Sequence, residues 1–449
     1  MSRLGPIVVL AATAALSACS SVQRVGSLLG GNHQPAQTAP QDGRVSILTF
    51  EQQLTPDPAL NGHVISVPAA TAQTDWNEPG GTADNAPIHI QGTATLARSW
   101  RADLGAGSNN RVRLAAPPVI SEGKLFFLDA DHRVVAVEAS TGRRLWSQEM
   151  RPHHSRDRVA RGGGVAAAGG RVFVTTGFGF AAALDASNGH EVWRAEVGAP
   201  FHAAPTVSGG RVYAVTNDSE LIAFDAATGE QQWNYQAIAE PARILSASSI
   251  AVDGDTVIAP FASGELIALV AANGRRLWSD SLSRSGRLTS LSQINDIAGR
   301  PAVANGVVYA ASHSGILAAI DIRTGERVWS RAFASTQTPW VAGDVLYAVS
   351  VDGELCAFSR QTGGLYWVRQ LRRYEHEDKH KGRVAWTGPI LIGGKLILAN
   401  SLGEVVSVEP ETGVVAGHTD IGKAVFIPPV AAGGETYLVT DDAKLTVLR

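Results

Sequence analysis

Several residues of this 449-residue chain are of types that could do chemistry. His376 and His380 stand four apart in Glu375-His-Glu-Asp-Lys-His-Lys381, a spacing that on a helix would bring two imidazoles to one face for a metal ion. His153 and His154 lie in an Arg-rich stretch, Arg161-Gly-Gly-Gly164 has the glycines of a phosphate-cradling loop, and Asp296 and Asp344 are carboxylates of the kind a calcium ion or a general base uses. None brings its partners. Mixed charges flank the histidines and no apolar periodicity supports a helix, so both pairs read as solvated loops. The glycines lack a following Lys-Ser/Thr and a strand-to-helix context, and read as a turn. No catalytic residue, metal ligand or cofactor is assigned.

Composition narrows the classes. With 41 acidic and 38 basic side chains the net charge is −3, too balanced for an electrostatic nucleic-acid binder. Hydrophobic residues make up 45% and charged ones 18%, enough apolar material for a large core. The two cysteines are Cys19 and Cys356. Leu4 to Leu16 is an apolar stretch of signal-peptide proportions, too short to span a bilayer, and it ends in Leu16-Ser-Ala-Cys19. That order looks like the lipobox of bacterial lipoprotein precursors, with residues 1–18 removed and Cys19 acylated as a membrane anchor. Ser20 and Ser21 in place of Asp resemble the outer-membrane sorting pattern. Cys356 lies where other repeats carry Ile or Leu and reads as core packing.

Residues 19–75 read as a lipid-anchored tether and extended segment: Ser, Gly, Gln, Pro and Asn predominate up to about residue 44, and Pro56, Pro58 and Pro68 interrupt the remainder. This stretch is expected to lie along the body rather than form a domain. From about residue 96 one pattern recurs, marked by Gly142, Gly189, Gly229, Gly274, Gly325, Gly363 and Gly413 at a mean spacing of about 45 residues, the blade period of a β-propeller. Trp146, Trp193, Trp233, Trp278, Trp329 and Trp367 follow the first six of these glycines by four residues, placed to fill the gaps between blades. Gly417 takes the Trp position in the seventh. The C-terminus supplies three strands and stops before a Trp strand, while Leu96-Ala-Arg-Ser-Trp100 is a Trp strand without a blade. Pairing them closes an all-β ring of eight four-stranded antiparallel blades over residues 76–449 and hides both edges.

The core Ala-x-Asp-x-x-Thr-Gly-x-x-x-Trp, clearest in Ala223-Phe-Asp-Ala-Ala-Thr-Gly-Glu-Gln-Gln-Trp233, resembles the tryptophan-docking repeat of eight-bladed quinoprotein propellers, which also occurs in non-enzymatic relatives. Joined to the lipobox, the polar tether, Trp76-Asn-Glu-Pro-Gly-Gly81 and Gly105-Ala-Gly-Ser108, it resembles the BamB family, lipoprotein subunits of the outer-membrane β-barrel assembly machinery. The resemblance implies a scaffold at the periplasmic face of the outer membrane. Its partner would be the POTRA region of the barrel subunit, its task to help fold and insert outer-membrane proteins. It also implies partner-binding loops before the fourth and fifth blades, here Pro241 to Ser246 with Arg243, Ile244 and Leu245, and Ile294 to Arg300 with Asp296. Ala298 stands where a second acidic residue is expected. The alternative is a periplasmic pyrroloquinoline-quinone dehydrogenase, a family that resembles the chain in the same repeat. Many of its members hold the quinone near a vicinal cysteine pair with a calcium-binding carboxylate and a catalytic Asp, and this chain has no Cys-Cys pair.

Overall fold

Thr206–Ser208, Arg211–Val215, Glu220–Asp225 and Gln231–Gln236 show how one repeat becomes one antiparallel blade. Gly209 and Gly210, at φ of +57° and +74°, form the tight turn between its first two strands, a conformation that favours glycine. The second and third strands carry unbroken apolar runs, Val212 to Val215 and Leu221 to Phe224, because neighbouring blades cover both faces of the sheet. The fourth strand lies at the rim and buries only Trp233 fully. Asp225 shapes the last turn: its Oδ1 accepts the N–H groups of Ala227 and Thr228 at 2.8 and 3.0 Å, and the Gly229 N–H reaches its carbonyl at 2.8 Å. These bonds hold the Asp225 carboxylate below its usual pKa and account for the Asp-x-x-Thr-Gly pattern.

The computed structural model describes residues 54–152, 159–238, 248–283 and 296–449. In it eight such blades follow one another, with first strands Val119–Ser121, Gly163–Ala168, Thr206–Ser208, Ala251–Asp253, Ala302–Ala304, Trp340–Ala342, Trp386–Ile392 and Val430–Ala432. The first strands of successive blades touch and ring the central axis. Closure takes the form expected from the sequence: Arg98–Asp103 pairs antiparallel with Lys444–Leu448, with Trp100 opposite Val447, and completes the eighth blade.

Packing extends upstream of Trp76. Leu54 lies against the core between the fifth and sixth blades, the Asp57 N–H donates to the Leu365 carbonyl at 2.8 Å, and Ile65 is buried with the main core. The remainder of the expected tether, with Cys19 and the stretch from Val45 to Phe50, lies outside the described residues. No helix among the described residues is long and apolar enough to cross a membrane.

Candidate functional site

The tryptophans join the blades. The Nε1 of Trp146, Trp193, Trp233, Trp278, Trp329 and Trp367 donates to the carbonyl of Ala186, Ala226, Ala271, Ile322, Arg360 and Pro410 in the following blade, at 2.7–3.1 Å. Each acceptor lies three residues before the repeat glycine, against which the same indole packs; a Cβ on Gly229 or Gly274 would come within 2.5 Å of the ring. Trp100 occupies the same place against Gly142, but its Nε1 has no partner and Tyr437 supplies the bond to Ala139 instead, at 3.2 Å. Where Gly417 replaces a tryptophan, Leu96 approaches the vacant position.

At one end of the first strands the chain runs along the blades itself. Residues 73–93 circle the ring and reach the first-strand region of every blade in order. Trp76 exchanges backbone hydrogen bonds with Ile120 at 2.6 and 2.8 Å, and the carbonyls of Asn77, Ala83 and Asp84 accept the N–H groups of Ala167, Val252 and Val303 at 2.7–2.8 Å. Between these, Glu78 Oε1 accepts the Val207 N–H at 3.0 Å. The Ile88 carbonyl accepts Trp340 Nε1 at 2.7 Å. The Ile90 N–H donates to the Leu391 carbonyl at 3.0 Å, and the Gln73 carbonyl accepts the Gly433 N–H at 2.8 Å. Asn85 Nδ2 donates to the carbonyls of Ile250 and Pro301, at 3.2 and 2.9 Å, tying the fourth blade to the fifth. Glu78 is buried, Oε2 has no hydrogen-bond partner among the described residues, and desolvation pushes its pKa well above the usual carboxylate range.

An open cavity of about 300 Å³ lies where the chain enters the first strands of the first and the fifth to eighth blades. Leu114, Trp386 and Phe426 give it apolar walls, and Thr336, Gln337 and Thr387 a polar rim. Gln337 is fixed: its Oε1 accepts from the Thr387 hydroxyl at 3.1 Å, and its Nε2 donates to Thr336 at 3.3 Å. Among the described residues Arg300 is the one charged group in the lining, and no Asp, Glu, His or Cys belongs to it. The lining therefore offers no ligand set for a quinone's calcium ion and no carboxylate to act as a base.

Of the residues singled out in the sequence, Arg243, Ile244 and Leu245 lie outside the described residues, as do His153 and His154. Asp296 corrects an expectation. The resemblance places it in a partner-binding loop, but only 6% of it is accessible, and Ile297, Ala298 and Arg300 are buried with it. The Asp296 carbonyl accepts the His313 N–H at 3.0 Å. His376 and His380 do not share a helix face. They bracket the 3-10 turn Glu377–Lys379 in a small hairpin, where His380 packs on Tyr374, and no metal-ligand cluster forms among the described residues. Cys356 is buried in the core, which raises its thiol pKa. Asp344 has no place in the cavity wall. Sequence reasoning missed the circling strap and the Arg300 cavity as sites; the only signal was Trp76-Asn-Glu-Pro-Gly-Gly81 and the charge in Gly299-Arg-Pro301.

The family described as outer membrane protein assembly factor BamB matches residues 37–162 and 130–369, which together cover most of the ring. The chain belongs to the BamB family. The Nitrosomonas eutropha assembly factor BamB is 27% identical over 249 residues, a match that spans 56% of this chain and 58% of that protein. The Escherichia coli K12 assembly factor BamB is 26% identical over 370 residues, spanning 79% and 89%. Among solved structures, BamB from Moraxella catarrhalis superposes with a TM-score of 0.66 at 22% identity, over 79% of this chain and 99% of that one. A quinohemoprotein alcohol dehydrogenase from Comamonas testosteroni superposes with a TM-score of 0.63 at 14% identity, over 84% and 81%, a likeness of fold.

Proposed function

We propose that this chain is a non-enzymatic scaffold of outer-membrane β-barrel assembly, anchored through Cys19 at the periplasmic face of the outer membrane. It docks on the POTRA region of the barrel subunit and aids folding and insertion of outer-membrane proteins. The observation that carries this reading is the family match across the ring-forming repeats. Two features support it. The ring is closed and rigid, so loops on its face lose little entropy on docking. Among the described residues, the cavity lined by Arg300, Gln337 and Trp386 presents no carboxylate of the kind that quinone chemistry draws on. The proposed partner-binding residues are Arg243, Ile244 and Leu245 before the fourth blade and Asp296 before the fifth.

A pull-down from mildly solubilised membranes, read by mass spectrometry, tests this directly. The barrel subunit is expected to co-purify with the wild-type chain, and Cys19→Ala is expected to leave the membrane fraction. Arg243→Glu is expected to lower recovery by a salt-dependent, modest factor without moving the melting temperature. Wild-type chain that brings down no barrel subunit overturns the scaffold reading. A folded Arg243→Glu variant with unchanged recovery moves the interface elsewhere, and saturable pyrroloquinoline-quinone binding with turnover would make the chain a dehydrogenase.

A further inference from the structure

Arg300 has no neutralising partner among the described residues. The side chain is 7% exposed, its Nε is buried without a hydrogen-bond partner, and it forms no ion pair among the described residues. Desolvation lowers its pKa to about 10, which still leaves it charged at neutral pH. A buried guanidinium is ordinarily paired with a carboxylate, because removal from water is otherwise uncompensated. Here the backbone fixes the position: the Arg300 N–H donates to Thr338 Oγ1 at 3.2 Å, and the Gly299 carbonyl accepts from Ser248 at 3.2 Å. Gly299 packs directly on the Gln337 carbonyl, where no Cβ fits. Arg300 is a lining residue of the open cavity, together with the apolar Leu114, Trp386 and Phe426.

We propose that this cavity binds an organic monocarboxylate, with the Arg300 guanidinium taking the carboxylate and Trp386, Phe426 and Leu114 taking the apolar body. The planar fork of Arg matches a carboxylate's two oxygens, and one cation balances one negative charge. A phosphate dianion would leave charge uncompensated between apolar walls, since the described lining has no second cation. The volume suits a small ligand or one inserted side chain. The inference does not depend on the scaffold reading: it rests on the cavity alone, and its test contains no assembly-machinery component.

Calorimetric titration of the full chain at low ionic strength uses phenylacetate, phenylacetamide and inorganic phosphate as probes. Phenylacetate is expected to bind saturably, at least tenfold tighter than the isosteric amide and tighter than phosphate. Arg300→Met is expected to abolish the preference for the acid over the amide, while Arg300→Lys keeps a weakened preference. Should Arg300→Met fail to fold, the wild-type comparison of acid with amide still decides. N-acetylglutamate α-amide, whose single carboxylate is a side chain, represents an acidic residue of a docked protein. Tighter binding of this compound than of phenylacetate assigns the site to a protein partner, and the reverse to a free metabolite. Equal binding of acid and amide, preference for phosphate, or an acid preference that survives in a folded Arg300→Met overturns the proposal.

Discussion

At the residue scale, the strap carries a buried carboxyl, Glu78, whose pKa desolvation raises. Glu78 accepts one backbone N–H from Val207 and is otherwise buried, so the folded chain binds this carboxyl's proton more tightly than the unfolded chain does. With the folded pKa raised, this group's contribution is fully present below the unfolded value and is lost as pH rises from there toward the folded value. Its slope approaches at most about 1.4 kcal/mol per pH unit. Glu78→Gln keeps an oxygen for the Val207 N–H and removes the titration. Urea denaturation from pH 4 to 8 is expected to show the variant matching wild type at the acid end and exceeding it near neutrality. Parallel curves would mean that Glu78 is ionised in the fold.

At the element scale, seven of the eight blade contacts set one indole against one glycine. Trp233→Ala removes a buried ring and its bond to Ala271, and is expected to cost about 3–5 kcal/mol. Gly274→Ala imposes two penalties, a left-handed φ of +70° and a Cβ within 2.5 Å of the Trp233 ring. Gly254, at φ +54° with open space around it, separates them. Gly254→Ala is expected to cost about 1–2 kcal/mol from backbone strain alone, and Gly274→Ala that amount plus an overpacking term of about 1–3 kcal/mol. The overpacking term should vanish in the Trp233→Ala background, a coupling that a double-mutant cycle by urea denaturation reads directly. Additivity of the two substitutions would show that the glycine is required by its dihedral alone.

At the scale of the whole molecule, the N-terminal region does two separate jobs, and truncations separate them. Removing residues 1–53 touches no described contact of the ring, and the melting temperature should stay within a few degrees of wild type. Removing residues 1–93 strips the strap from all eight blades and should lower it clearly while leaving the chain monomeric. Removing residues 1–103 also deletes the strand paired with Lys444–Leu448, exposes the edge of the eighth blade and should cause aggregation. Thermal denaturation with light scattering distinguishes the three, and equal behaviour of the last two would show that closure is not what keeps the ring soluble.

Blade number, strand order and ring closure were legible in the sequence because each is local or periodic. A Thr-Gly turn, an apolar run and a Trp four residues after Gly229 recur whatever surrounds them, and Trp100 was recognisable as a strand missing from the other end. The tryptophans' role was legible for the same reason. The strap and the cavity were not, since residues 77–92 carry no period and acquire partners only when eight first strands, scattered from Val119 to Ala432, converge on one axis. Asp296 and Arg300 look in the sequence like loop charges beside Asn295 and Pro301, and only tertiary packing buries both. Burial of a charge depends on what long-range packing places around it, a quantity that the spacing of neighbours along a chain does not contain.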